Sequence, residues 1–208
     1  MIKKQNYLKH AIVLFLLLLL MQPERAWAAY ENVEFSSLTN HDGLTNSQVG
    51  AILKDTRGYI WFGTQSGLCR FDGFRMKTFY YSNTDDKSLP NNSVDELQQD
   101  YDGNIWVHTS VGYSIYKYDE EQFDRKPEEW LKNIHVQGPP YKLLIDKDKN
   151  MWIAVYGQGL YYHNAKTKNT YLFKFTKKAQ PGCLKEGNIS KITEVDGDAL
   201  ITYADGTI

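Results

Sequence analysis

Apolar residues in this chain come in short bursts cut off by polar turns, a pattern of strands and hairpins. Val49 to Lys54 alternates loosely and runs into Asp55-Thr-Arg-Gly58, where glycine supplies the positive φ that a tight turn wants. Tyr59 to Thr64 is a second strand, Gly67 to Phe71 a third closed by Asp72-Gly73, and Phe74 to Tyr81 a fourth. Together they predict one antiparallel meander.

The chain then writes the same unit again. Asp55-Thr-Arg-Gly58-Tyr-Ile-Trp61 returns as Asp100-Tyr-Asp-Gly103-Asn-Ile-Trp106 and, more loosely, as Asp146-Lys-Asp-Lys149-Asn-Met-Trp152. The tryptophans are 45 and 46 residues apart, each six residues after its aspartate. A fourth, eroded copy around Val195-Asp-Gly197 carries Leu200 near the tryptophan position. Short strands repeating at about 40–50 residues are the signature of β-propeller blades. The fold class is therefore all-β, with four-stranded blades near 49–81, 94–136, 141–175 and 189–208. Leu89-Pro-Asn-Asn-Ser-Val94 repeats the role of Leu44-Thr-Asn-Ser-Gln-Val49 at a blade entrance. Segment 120–133, charged and carrying Trp130, reads as an insertion forming a helical turn or longer loop.

The segment 30–38 falls in the register of a blade's last strand, since Phe35 precedes Val49 by 14 residues as Phe175 precedes Ile189. It reads as the outer strand of a closing blade. The fourth copy stops where a third strand would start, so 29–208 is expected to be about three and a half blades of a larger ring. Such a piece, alone in solution, is expected to expose a sheet face and to self-associate. Faces of adjacent blades bury each other, so Trp61, Trp106 and Trp152 supply core bulk, and the aspartates accept hydrogen bonds from turn amides.

Composition narrows this picture. Net charge is −1 with 24% charged residues, neither basic enough for nucleic acid nor biased enough for disorder. Lys3, Lys4 and Lys9, an apolar run from Ala11 to Met21 and Ala26-Trp27-Ala28 read as a secretory signal peptide over 1–28, cleaved after Ala28 or Ala29. A run of eleven is short of the ~20 residues a membrane span needs. Cys69 and Cys183 lie blades apart and read as unpaired.

Three segments are specific enough to carry a family resemblance: Gly43-Leu-Thr-Asn-Ser-Gln-Val49, Asp55-x-x-Gly58-x-x-Trp61-Phe-Gly-Thr64, and Gly67-Leu-x-Arg-Phe-Asp-Gly73. They resemble the regulator-propeller repeats of hybrid two-component sensors typical of gut and environmental Bacteroidetes. The pattern weakens where Lys149 replaces the turn glycine and Leu200 the tryptophan. The resemblance implies a periplasmic sensor of seven-bladed propellers, followed in a longer, homodimeric parent by a membrane helix, a histidine kinase and a DNA-binding domain. It also implies sensing of glycan breakdown products to control polysaccharide use. No kinase or DNA-binding motif occurs in these residues, so the chain's expected partners are its propeller's remaining blades and an oligosaccharide. Nucleic acid is not expected, and membrane contact only through the leader or a downstream helix.

The residues offer little chemistry of their own. Asp146-x-Asp148-x-Asn150 resembles the opening of a calcium loop, but Met151 stands where the turn glycine belongs and Gly157 where the bidentate glutamate should be. A blade turn is the simpler reading. His41, His108, His135 and His163 lack metal-ligand spacing, and no nucleophile or phosphate-loop motif occurs. Neither catalytic residues, metal nor cofactor is expected. Carbohydrate recognition favours aromatic platforms with polar neighbours at the loop-bearing ends, which singles out Trp130, Tyr156, Tyr113 and His108. A secreted propeller lyase or glycosidase, and a protein-interaction scaffold, stand as alternatives.

Overall fold

The computed structural model describes residues 35–177 and 183–208. The signal peptide lies outside them, as does most of the expected outer strand; its described part, 35–38, carries no strand. The unit from Leu38 to Ile208 is a succession of meanders. Blade one is β1 (Val49–Lys54), β2 (Ile60–Thr64), β3 (Gly67–Phe71) and β4 (Met76–Phe79). Blade two is β5 (Val94–Gln99), β6 (Ile105–Thr109), β7 (Gly112–Lys117) and β8 (Gln122–Asp124), followed by helix α1 (Pro127–Lys132). Blade three is β9 (Pro140–Ile145), β10 (Met151–Val155), β11 (Gly159–His163) and β12 (Thr170–Thr176). A two-residue strand, β13 (Leu184–Lys185), adds in parallel to the long outer β12. Blade four comprises β14 (Ile189–Val195) and β15 (Asp198–Tyr203). The segment expected as an insertion, 120–133, is thus partly a true blade strand, β8, with the helix after it.

The blades share one register. Trp61 sits opposite Leu53, Trp106 opposite Gln98, Trp152 opposite Leu144 and Leu200 opposite Thr193. Every inner strand has a register shift at its second residue: Gly50, Asp95, Tyr141 and Ser190. A bulge there turns one extra side chain out of the ladder. Three cores follow, one per seam: Trp61 with Leu97 and Val107, Trp106 with Leu143 and Ile153, and Ala154 with Ile189 and Ile192. At the same register Ile52 is 66% exposed, whereas Leu97, Leu143 and Ile192 are no more than 8% exposed. Ile52 thus lies on a blade face of the kind that every described seam covers.

The repeated aspartate does more than hold its turn. Asp55 Oδ1 accepts the amides of Arg57 and Tyr59, at 2.9 and 3.0 Å, while Oδ2 accepts the Trp61 indole N–H at 2.6 Å. Asp100 treats Asp102, Asn104 and Trp106 in the same way, the indole bond being 2.9 Å. Burial raises the Asp100 carboxyl above its ordinary range, against the hydrogen bonds from Trp106 and Asn104. In the third copy Asp146 Oδ1 takes the amides of Asp148 and Asn150, but Oδ2 takes the Asn150 side chain instead of Trp152. Both oxygens are then occupied within the turn, as the blade-turn reading expects. Lys149 adopts a left-handed φ of 65°, as Gly58 and Gly103 do at its register with 91° and 86°. Its Nζ donates to Gln99 O at 3.0 Å, so the departure from glycine ties blade three to blade two. Both cysteines are free, Cys69 being buried.

Candidate functional site

The seam between blades two and three opens, at the end carrying the β6–β7 and β10–β11 turns, into a cleft of about 480 Å³. Its walls include His108, Val111, Tyr113, Glu128, Tyr141 and Tyr156. A second cleft, of about 350 Å³, continues from His108 across the inner strands of blades two, three and four. His108 lies on both.

The repeat explains why the seam opens here. The second residue after the blade tryptophan is Gly63, His108 and Ala154 in successive blades. A Cβ on Gly63 would stand 2.6 Å from Val94 Cγ1, so blade two closes tightly on blade one. In blade two that position carries an imidazole, and the residue facing it at the register of Val94 is Pro140. His108 Nδ1 lies 2.6 Å from Oδ1 of Asp95, the bulge residue of β5, which fixes the ring's orientation.

Beneath His108, with ring centroids 4.5 Å apart, lies Tyr113. Its hydroxyl donates to Glu96 Oε2 at 2.9 Å and accepts the Leu143 amide at 3.1 Å. Burial, then the charge of Glu96, holds the phenol well above its usual range, so it stays a donor. The Gln98 side-chain amide donates to Leu143 O at 2.9 Å and accepts from the Ile145 amide. Blades two and three are thus zipped by side chains reading each other's backbone. On the far wall Tyr156 is 64% exposed and stacks on Tyr141 at 4.1 Å, with 21° between the rings. Tyr141 is itself fixed, its hydroxyl accepting the Ile189 amide at 3.2 Å. The result is an open aromatic face on a rigid backing, with oriented polar groups beside it. Arg125, also on the wall, has its guanidinium engaged by the carbonyls of Ser82, Asp85, Ser88 and Leu89 in the connector before blade two.

Of the four candidates read from the sequence, His108, Tyr113 and Tyr156 share this cleft. Trp130 does not line it. It lies on α1, with its ring 5.4 Å from Trp106 and 6.0 Å from Tyr101, packed against the core of the seam. Asp95, Tyr141 and Glu128 join the site unannounced. For Asp95 and Tyr141 the signal is the break in the repeat, an acid and a tyrosine at bulge positions where the other blades place Gly50 and Ser190, whereas Glu128 lies on α1 outside the repeat.

Strand order, repeat register and inter-blade cores define a β-propeller assembly. Residues 43–66 and 88–110 match the two-component regulator propeller family, the repeat whose wording the sequence resembles. A stretch of 61 residues is 41% identical to Histidine kinase P4 of Formosa agariphila, covering 29% of this chain and 4% of that kinase. The fold is similar to the extracellular domain of a protein described as a hybrid two component system from B. thetaiotaomicron. That likeness has a TM-score of 0.55 at 24% identity, over 81% of this chain and 24% of that one. The chain therefore carries regulator-propeller repeats and spans under a quarter of each of these two proteins. Among the described residues no helix is long and apolar enough to cross a membrane.

Proposed function

We propose that this chain is part of the exported, ligand-binding region of a two-component sensor, and that it binds an oligosaccharide in the cleft between blades two and three. The observation that carries the reading is Tyr156, exposed on one face, backed by Tyr141 on the other and beside the oriented His108. A pyranose presents C–H groups on one face and hydroxyls at its rim, so it suits an aromatic plate flanked by an imidazole and carboxylates. The chain's own part is recognition. Phosphoryl transfer belongs to the kinase of a longer, homodimeric parent in the inner membrane, whose sensor part lies in the periplasm, a role supported by the regulator-propeller matches and the local identity to a histidine kinase. The leader over 1–28 carries export, and further blades of the same ring cover the face bearing Ile52.

Titration calorimetry of the chain against an oligosaccharide panel tests this. Binding should appear for a subset of saccharides, and Tyr156→Ala should weaken it roughly two- to tenfold without changing the melting temperature. Binding that survives both Tyr156→Ala and His108→Ala would place the site elsewhere.

A further inference from the structure

Charge is divided unevenly across the second cleft. Blade two contributes Asp95 and Glu96, and both are already engaged. Asp95 is paired with His108, while Glu96 accepts the Tyr113 hydroxyl and the Gln98 amide. Blades three and four contribute Lys142 and Lys191. These occupy equivalent places, opposite Ala154 and Thr202, where blades one and two carry Ala51 and Glu96. Among the described residues neither ammonium has a hydrogen-bond or ion-pair partner. Other lysines near carboxylates in this chain do pair, as Lys147 does with Glu194 and Lys185 with Asp205. Lys142 is half-buried as well, so it loses hydration without gaining a partner.

We infer that this cleft is the acidic subsite of the same binding site: it takes the carboxylate or sulfate group of an acidic oligosaccharide whose neighbouring ring lies on Tyr156. The inference rests on the saccharide reading above and deepens it. His108 borders both clefts, so it stands where consecutive sugar units would meet. The two lysines supply charge-assisted donors to an anion, while the engaged Asp95 and Glu96 retain lone pairs for hydroxyl protons. A neutral saccharide would leave both ammonium groups unanswered, which gives the site a preference as well as an affinity.

The test is an array of neutral, uronate-bearing and sulfated oligosaccharides of matched length, followed by titration of the best binder into the intact chain. Acidic saccharides should dominate. The double variant Lys142→Ala/Lys191→Ala should weaken them roughly tenfold or more, while Tyr156→Ala weakens acidic and neutral binders alike. Raising salt should weaken the acidic binders in the wild type far more than in the double variant. The uronate and sulfate arms say which anion fits. If neutral saccharides bind as well as acidic ones, or the double variant binds acidic ones normally, the acidic subsite is refuted and the saccharide site stands. If a folded chain binds none of the array, the saccharide site falls too. Both lysines are partly or fully solvent-exposed, and circular dichroism of the double variant checks that its fold is intact.

Discussion

The seam between blades one and two and the seam between blades two and three are built from the same repeat and end up different. In the first, Trp61 is fully buried, with Tyr116 and Phe79 ring centroids 5.0 and 5.8 Å away. Its indole is tied to Asp55, which also accepts the Tyr118 hydroxyl from the next blade. Gly63 lets Val94 in and the top of the seam shuts. In the second, Trp106 keeps the same link to Asp100, but the top is a polar zipper through Tyr113, Glu96 and Gln98, with His108 where the glycine was. One repeat can thus divide its work: the tryptophan end of each seam supplies cohesion, and the turn end is free to close or to become a site.

Breaking the cohesive end should show first. Trp61→Ala should cost about 3–5 kcal/mol, close to the whole stability of many domains, read from chemical denaturation. Trp152→Ala should cost distinctly less, because Trp152 is only half-buried and has no aspartate on its indole. Equal losses would mean that the indole link contributes nothing.

Next comes the contrast at the turn end. Gly63→Ala forces a methyl against Val94 and should cost about 1–3 kcal/mol. His108→Gly in the other seam should leave the melting temperature nearly unchanged and reduce saccharide binding. A large stability loss in His108→Gly would mean the imidazole holds the seam closed.

Gln98→Ala should cost about 1–3 kcal/mol by leaving the Leu143 carbonyl and Ile145 amide short of partners. Hydrogen exchange should accelerate at Ile145, while the first seam stays protected.

The smallest effect is one of pH. His163 is buried with Nδ1 2.8 Å from the Thr170 hydroxyl, whose proton goes to Ile134 O. That hydroxyl must accept from His163, so the imidazole is the Nδ1–H tautomer and Nε2 is left with no partner. Burial, then the charge of Lys168, lowers the His163 pKa below the ordinary histidine range. The unfolded chain therefore binds a proton there before the native one does, and stability falls as pH drops below about 6.5. His163→Phe should flatten that part of a stability-against-pH curve; an unchanged slope would assign it to other groups.

Much of the fold was legible. The strand bearing each tryptophan, the turn before it and the four blade starts are set by local pattern, because the Asp-x-x-Gly turn and the alternation need only neighbours in sequence. Strand β8 was hidden among the charges of 120–133, since a three-residue outer strand has no period to detect. The indole–carboxylate bond was hidden for another reason: only when Trp61 pairs beside Leu53 does its N–H reach Asp55. At the candidate site, Tyr156, Tyr113 and His108 are legible as aromatic or polar residues near the loop-bearing ends, but their exposure is not. Trp130 could not be told apart from them, because bulk that fills a core and bulk that makes a platform look alike in a sequence. Asp95 and Tyr141 depended on the bulges, which exist only once two strands have been paired.

The aspartate-to-tryptophan bond also sets where this chain can change length. With the carboxylate holding the turn at one oxygen and the indole at the other, the span from Asp55 to Trp61 works as a fixed ruler. One inserted residue would turn the indole to the opposite face of its sheet. The connectors 82–92 and 125–139 carry no such measure, and the 45- and 46-residue tryptophan intervals differ by one residue while every aspartate-to-tryptophan spacing stays at six, even in the third copy, which lacks the bond. Insertions and deletions among relatives of this chain should therefore collect between blades and be almost missing inside the rulers.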